Sequence, residues 1–326
     1  MNLSVIGLGI VSKVGEREHL ENLLTKDLIN TALLPSEKIL PIDFSNYQNI
    51  SPQLIRRMSH FAKLSLLSAG RALKDSGVDV TGKSIGIIQG SVYGPIISGI
   101  QAFDELIDFG DNQLSPTNFS GSVFNTSATY LSLAFGIQGS TLAHTSGMDT
   151  LANSLFTASN WLESGAADYI IMGIGDEYTS FFDHNAVTNG KSILLPTCEG
   201  WTTFIVSKGE KAKYGKIEFS HLKALPEIEN QKNIYSVWHE QIKADEFQRQ
   251  LKNNRACLPV HLRGSYPAAA AFDLAFALIC AKNKRFPVDN GQPGIYQVQD
   301  LSKDERISFY CLSENNEFFE CNTIIG

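Results

Sequence analysis

The chain is poor in sulfur, and no pattern in it binds metal. Its 326 residues include five cysteines, Cys198, Cys257, Cys280, Cys311 and Cys321, scattered and odd in number. No CxxC and no Cys/His ligand spacing occurs. That argues against a zinc module and a disulfide framework, and predicts reduced thiols in a cytoplasmic protein with no metal and no cofactor. Basic charge is also short: 27 Lys and Arg stand against 34 Asp and Glu, a net charge of −7. A nucleic-acid binder is usually basic, so no nucleic acid is expected as a partner. No apolar run reaches the roughly 18–20 residues that span a bilayer, so no membrane span is expected. The opening MNLSVIGLGIV lacks a basic leader and a small-residue cleavage site, and reads as a first strand. Gly7-Leu8-Gly9 lacks the third glycine and the acidic partner of a dinucleotide fingerprint. Close packing is the better reason for these glycines.

What is present is α/β patterning. Residues 3–11 form a continuous apolar run, as in a strand buried on both faces. Leu54, Met58, Phe61, Leu64, Leu67 and Leu73 recur at helical spacing, with Pro52 at the start and Gly77 at the end. SIGIIQG (84–90) reads as a buried strand, followed by a helix near 99–109 and another over 115–135. The stretch Gly136–Glu177 reads as strand, sharp turn, long helix, loop and buried strand. Such a turn aims its residues at the positive end of a helix, a setting for a nucleophile or an oxyanion. The turn carries Thr145, Ser146, Gly147, Met148 and Asp149, and no thiol. WTTFIVS (201–207) closes the first half. A helix is expected near 233–252, then PAAAAFDLAFALICAKNKRFP as a helix stopped before Pro287, then a terminal hairpin turning at Glu314–Asn316. Strand, elbow and helix near 141–163 are echoed by strand, turn and helix near 258–282, which suggests two related halves.

Eight segments, in order, resemble the β-ketoacyl synthases of the thiolase superfamily: VIGLGIVSKVG, IRRMSHFAKLSLLSAGRALKDSG, IGIIQGS, the VFN-to-GIQG stretch, LESGAADYIIMG, CEGWTTFIVSKGEKAKYGKI, AAAAFDLAFALICAKNKRFP and the final hairpin. The resemblance implies a five-layered αβαβα fold in a single thiolase-like domain. Its pseudo-symmetric halves would fall at about 1–212 and 213–326, the second shortened. It also implies a dimer and three catalytic requirements: an elbow cysteine, two histidines, and backbone N–H groups for the oxyanion. Aligned from Gly139 to Gly165, the nucleophile position holds Met148. An HGTGT-like motif is absent. The second histidine falls at Gly264, or at His261 on a different anchoring, and the glycine-rich terminal turn has become LSENN (312–316).

A chain that keeps the family's interface elements and loses its chemistry resembles a chain-length factor. That implies a catalytically inactive heterodimer partner of an active ketosynthase subunit, in polyketide, polyene or fatty-acid-like biosynthesis, with acyl carrier protein as second partner. Phe119, Phe124, Asn125, Tyr130, Tyr93 and Phe103 are the candidates for the dimer and tunnel wall. Arg56, Arg57 and Lys63 are candidates for carrier docking, against an ordinary solvated helix face. Two alternatives stay open: a homodimeric acyl-carrier-binding scaffold, and an acyltransferase using another residue. For the latter, Ser146, His144 and Asp149 invite a triad, but neighbours on a strand-turn-helix are expected to point apart. Ser192 and His184 offer no better set.

Overall fold

The computed structural model describes residues 2–324 apart from 36, 48–49, 111–112, 182, 185–196, 210–211, 223–230, 237–255, 258, 291, 293, 303–304 and 313–317. Its first half contains β1 (Asn2–Val11), α1 (Arg17–Leu24), β2 (Leu28–Asn30), α2 (Pro52–Arg57), α3 (His60–Ser76) and β3 (Ile85–Ser91). Then come α4 (Ile96–Phe109), α5 (Pro116–Gly121), α6 (Thr126–Phe135), β4 (Thr141–Thr145), α7 (Thr150–Glu163), β5 (Tyr169–Asp176) and β6 (Gly200–Ser207). The second half contains β7 (Lys216–Leu222), β8 (Gln231–Ser236), β9 (Ala256–Cys257), α8 (Val260–Arg263) and α9 (Ala270–Asn283). It ends with β10 (Arg285–Asp289), β11 (Ile295–Asp300), β12 (Arg306–Leu312) and β13 (Phe318–Ile324).

Ten strands hydrogen-bond in the order β4-β3-β5-β6-β1-β7-β13-β12-β8-β9. The row is two copies of one pattern, joined where Asn2–Ser4 of β1 pairs with Lys216–Glu218 of β7. In the first copy β3 lies parallel to β4 and β5, and β6 runs antiparallel to β5 and β1. In the second, β8 lies parallel to β9 and β12, and β13 runs antiparallel to β12 and β7. The elbow strand β4 thus corresponds to β9, and α7 to α9. This is the pseudo-symmetric α/β arrangement the resemblance implied. A small sheet, β10-β11-β2, stands apart.

Strand alternation sorts the core into two faces. On β6, Ile205 packs with Ala62, Leu66 and Ala69 of α3, while Phe204 and Val206 belong to the opposite core, which α7 and α9 also enter. Helix α9 is buried from Ala271 to Ala281, which explains an apolar sequence without a polar stripe. It lies between the two halves, contacting β6 on one side and β8, β12 and β13 on the other. Layer shortening is visible in the connections. Between β1 and β3 the chain builds α3, the outer layer of the first half. Between β7 and β8 only residues 223–230 intervene. Accordingly β7 alternates, with Lys216, Glu218 and Ser220 exposed and Ile217 and Phe219 buried, whereas β3, β5 and β6 are buried throughout.

Three sequence expectations need correction. The periodic run over 51–76 is two helices, because Ser59 caps α3 with its side chain on Ala62 N and Met58 turns extended. The 115–135 helix is also two. Ser115 and Pro116 start α5, and Gly121 and Ser122 end it. The helix near 233–252 begins on β8 instead, and the rest of that range lies outside the described residues. The terminal strands do pair as a hairpin, but the turn at Glu314–Asn316 is likewise outside them. Gly7 and Gly9 serve close packing, as expected: a Cβ on Gly9 would sit 1.9 Å from the Ser68 carbonyl oxygen.

Candidate functional site

The strand-to-helix elbow forms where β4 stops at Thr145. Ser146 is still extended in φ (−139°), Gly147 takes φ +52°, and Gly147–Asp149 makes one 3₁₀ turn into α7. A positive φ favours glycine, which fixes the bend one residue before Met148. Met148 is half-buried at the turn, and Asp149 occupies the N-cap position of α7. The thioether of Met148 has no ionisable proton and forms no acyl ester. All five cysteines are buried free thiols on other elements. Burial pushes the Cys198 thiol up to about 12, so it is inert as a thiolate.

A segment of the second half meets the elbow. The turn Pro267–Ala269 packs against Gly147–Asp149, which brings proline and alanine to the elbow. Gly264 precedes that turn with φ +75° and ψ −173°, a conformation essentially restricted to glycine, so a histidine there would be strained. His261 sits on α8 with its Cβ near Gly294, at the turn into β11, and burial lowers its pKa. The LSENN turn, beyond Leu312, lies outside the described residues.

Beside the elbow, His144 makes two contacts. Its Nδ1 is 3.0 Å from Ser146 Oγ, and its Nε2 is 2.9 Å from Ser154 Oγ on α7. Residues 144 and 146 are two apart on extended backbone and therefore share a face. The expectation that neighbours here point apart fails for this pair. It was legible as an i, i+2 spacing on a strand; Ser154 was not, because its approach depends on where α7 lands.

Sequence reasoning also missed an acidic cluster. Asp176, at the end of β5, accepts from Ser91 Oγ (2.5 Å), Val92 N, Tyr93 N and, across the halves, Ala268 N (2.8 Å). Desolvation pushes its carboxyl up to about 6 despite these bonds. Glu177 next to it is pushed up to about 7 by burial, although Ile97 N donates to it. Glu199, fully buried, accepts from Leu40 N and Tyr178 N and lies 2.7 Å from His60 Nε2. Burial pulls His60 down, but the hydrogen bond and charge of Glu199 outweigh it and leave its pKa raised. For Glu177 and His60 the folded state holds the proton more tightly than the unfolded state. For Glu177 stability is therefore full below its unfolded value of 4.5 and is lost as pH rises through about 7, and the His60 contribution is likewise lost with rising pH. Between pH 6.5 and 8 the thermal midpoint should fall, by an amount worth on the order of 1 kcal/mol, and Glu177→Gln should remove most of the slope. A flat wild-type curve in this range contradicts the assignment.

Of the elements that carry the candidate wall residues, α6 contacts the edge strand β4, and α4 and α5 contact each other. Phe103 on α4 and Phe119 on α5 are 66% and 58% exposed, and Phe124, Leu106, Ile107, Phe109, Val123 and Leu133 are exposed with them. Phe124 lies over Gly94, where a Cβ would come within 2.3 Å of its ring. Tyr93 is exposed at the end of β3. Asn125 is exposed and its carbonyl accepts from Thr129 N. Tyr130 donates its hydroxyl to the Arg57 carbonyl (2.9 Å), which ties α6 to α2. Arg56 and Arg57 are exposed there, and Lys63 is half-buried on α3. Among the described residues no group of His, Cys, Asp and Glu could hold a metal ion, and no helix is long and apolar enough to cross a membrane.

A family model described as beta-ketoacyl synthase, N-terminal domain, matches residues 33–202, just over half of the chain. The chain belongs to the β-ketoacyl synthase family. Three solved structures share the ketosynthase fold across the length of both chains. One is titled the ishigamide ketosynthase/chain length factor, at TM-score 0.75 and 12% identity, covering 100% of this chain and 99% of that one. Another is a type II polyketide synthase acyl-carrier protein in complex with its ketosynthase bound to the hexaketide (AntDE:AntF), at TM-score 0.71, 15% identity and 99% coverage of both. The third is a beta-ketoacyl synthase from Burkholderia phymatum STM815, at TM-score 0.70, 14% identity, and 99% and 100% coverage. In this ketosynthase-family chain, Met148 thus stands at the turn between β4 and α7.

Proposed function

We propose that this chain is a ketosynthase-type subunit without condensing chemistry of its own, working as a chain-length factor in heterodimer with an active ketosynthase. The observation that carries the reading is Met148 at the elbow, faced by Pro267–Ala269. Condensation needs a thiol to hold the acyl chain, and Met148 supplies none at that turn. The edge strand β4 and the exposed apolar face of α4–α6 support a protein partner there, since exposed apolar surface of this extent marks interfaces. In that assembly Phe119, Phe124, Asn125, Tyr130, Tyr93 and Phe103 would form the wall shared with the partner's acyl tunnel. Arg56, Arg57 and Lys63 would face an acidic acyl carrier protein.

Co-expression with a cysteine-bearing ketosynthase from the same gene neighbourhood tests this. The expected result is a one-to-one complex by native mass spectrometry, with condensing activity absent from this chain alone. A stable homodimer that never binds a ketosynthase would leave the homodimeric scaffold as the answer. Within a complex, Phe119→Ala or Phe124→Ala should lengthen the product, and an unchanged product with intact assembly removes that residue from the wall.

A further inference from the structure

The contacts around His144 fix its proton. Ser154 is fully buried, and its hydroxyl lies 2.8 Å from the Thr150 carbonyl, four residues earlier on α7. A carbonyl only accepts, so the Ser154 hydrogen is spent on it. Toward His144 the Ser154 oxygen can then only accept, which places the imidazole hydrogen on Nε2. That leaves a lone pair on Nδ1, 3.0 Å from Ser146 Oγ, whose hydrogen points at it. The room for this arrangement comes from Gly90 on β3: a Cβ there would meet Thr150 Cγ2 at 2.6 Å, Ser154 Oγ at 3.2 Å and His144 Nε2 at 3.4 Å.

We propose that Ser146, with His144 as its general base, is an acyl-accepting nucleophile at the elbow. Nucleophile, base and base-orienting group are in hydrogen-bond contact, the pattern that activates a serine. Ser146 and His144 are half-buried and so retain access from solvent. The head of α7 adds the positive end of a 14-residue helix beside Ser146. Burial lowers the His144 pKa, which keeps the base neutral at neutral pH. In the reaction Ser146 Oγ bonds to the carbonyl carbon of an acyl thioester, and its proton passes to His144 Nδ1. The carbon–sulfur bond breaks, the proton goes from Nδ1 to the departing thiolate, and a serine ester and a free thiol remain. Water repeats the sequence and releases a carboxylic acid. The choice of a thioester rests on the proposed function; the activated serine does not.

The test uses the full chain with two acyl donors, p-nitrophenyl acetate and the acetyl thioester of N-acetylcysteamine. With the aryl ester we expect one acetyl group per chain by intact mass, mapped to Ser146 by peptide mass analysis of the wild type. Ser146→Ala should abolish the adduct, and His144→Gln should slow it roughly 100-fold. The rate should rise to a plateau with a midpoint below pH 6.5, and Ser154→Ala should lower that midpoint because the imidazolium loses its acceptor. No adduct, an adduct elsewhere, or an equal rate in His144→Gln overturns the proposal. An adduct from the aryl ester but not from the thioester keeps the nucleophile and rejects the thioester class, independently of whether the chain pairs with a ketosynthase.

Discussion

Replacing Asp273 with alanine should destabilise the fold by about 3–5 kcal/mol, the cost of leaving a buried charge without its partner. Arg263 is 1% exposed and Asp273 is fully buried. They form two parallel bonds, Nε to Oδ1 at 2.6 Å and Nη2 to Oδ2 at 2.8 Å. Arg263 Nη1 also donates to the Gly264 carbonyl, and the guanidinium carbon lies 5.8 Å from the Tyr266 ring centroid. Without the carboxylate, a cation that stays ionised at any working pH remains in the core. The double change Arg263→Met with Asp273→Leu should recover most of the loss, because it removes the charge as well as its partner. Urea unfolding followed by circular dichroism measures both, and a loss below about 1 kcal/mol in Asp273→Ala would refute the account. The pair joins the end of α8 to the first turn of α9, and the chain between them is the turn that meets the elbow.

Gly9→Ala should cost about 3 kcal/mol or more, at the upper end for an overpacked core. The new Cβ would lie 1.9 Å from the Ser68 carbonyl oxygen and 2.6 Å from Ala72 N, both backbone atoms of α3. No rotamer relieves such a contact, so α3 must move away from β1. That movement would break the Ser68 hydroxyl's bonds to the Gly9 carbonyl (2.9 Å) and to Thr203 Oγ1 (2.9 Å). Gly99→Ala is the matched control. It lies inside α4 with open space around its Cβ, and helix propensity alone should stabilise it by about 1 kcal/mol or less. Thermal unfolding of the two variants should shift in opposite directions; equal shifts would mean the close approach of β1 and α3 is not rigid.

Much of the fold was legible because its strands are buried on both faces. β1, β3, β5 and β6 stand out as apolar runs for that reason, and α9 stands out because it is buried on every side. The breaks inside 51–76 and 115–135 were harder to see. Capping by Ser59 and Ser115 competes with a helical period that continues through both breaks. At the elbow, Met148 was readable from spacing along one segment. The His144–Ser146 contact needed only the two-residue repeat of an extended chain, but Ser154 and Gly90 come from different elements and meet only after packing. The acidic cluster was hidden for the same reason. Asp176, Glu199 and His60 are remote in sequence, and nothing local marks them as neighbours.

The position of β1 in the sheet has a consequence for synthesis. Its two hydrogen-bonding neighbours are β6 and β7, which begin at Gly200 and Lys216. At about 5–20 residues per second, an emerging chain waits on the order of 10–40 s before either strand exists. Through that interval the apolar strand Leu3–Val11 has both edges open, with α3 and α1 to shelter against. Translation speed and chaperone supply should therefore decide the yield of folded chain more than the final stability does. A slow codon cluster placed before residue 200 should lower the soluble fraction, and one placed after residue 218 should leave it unchanged.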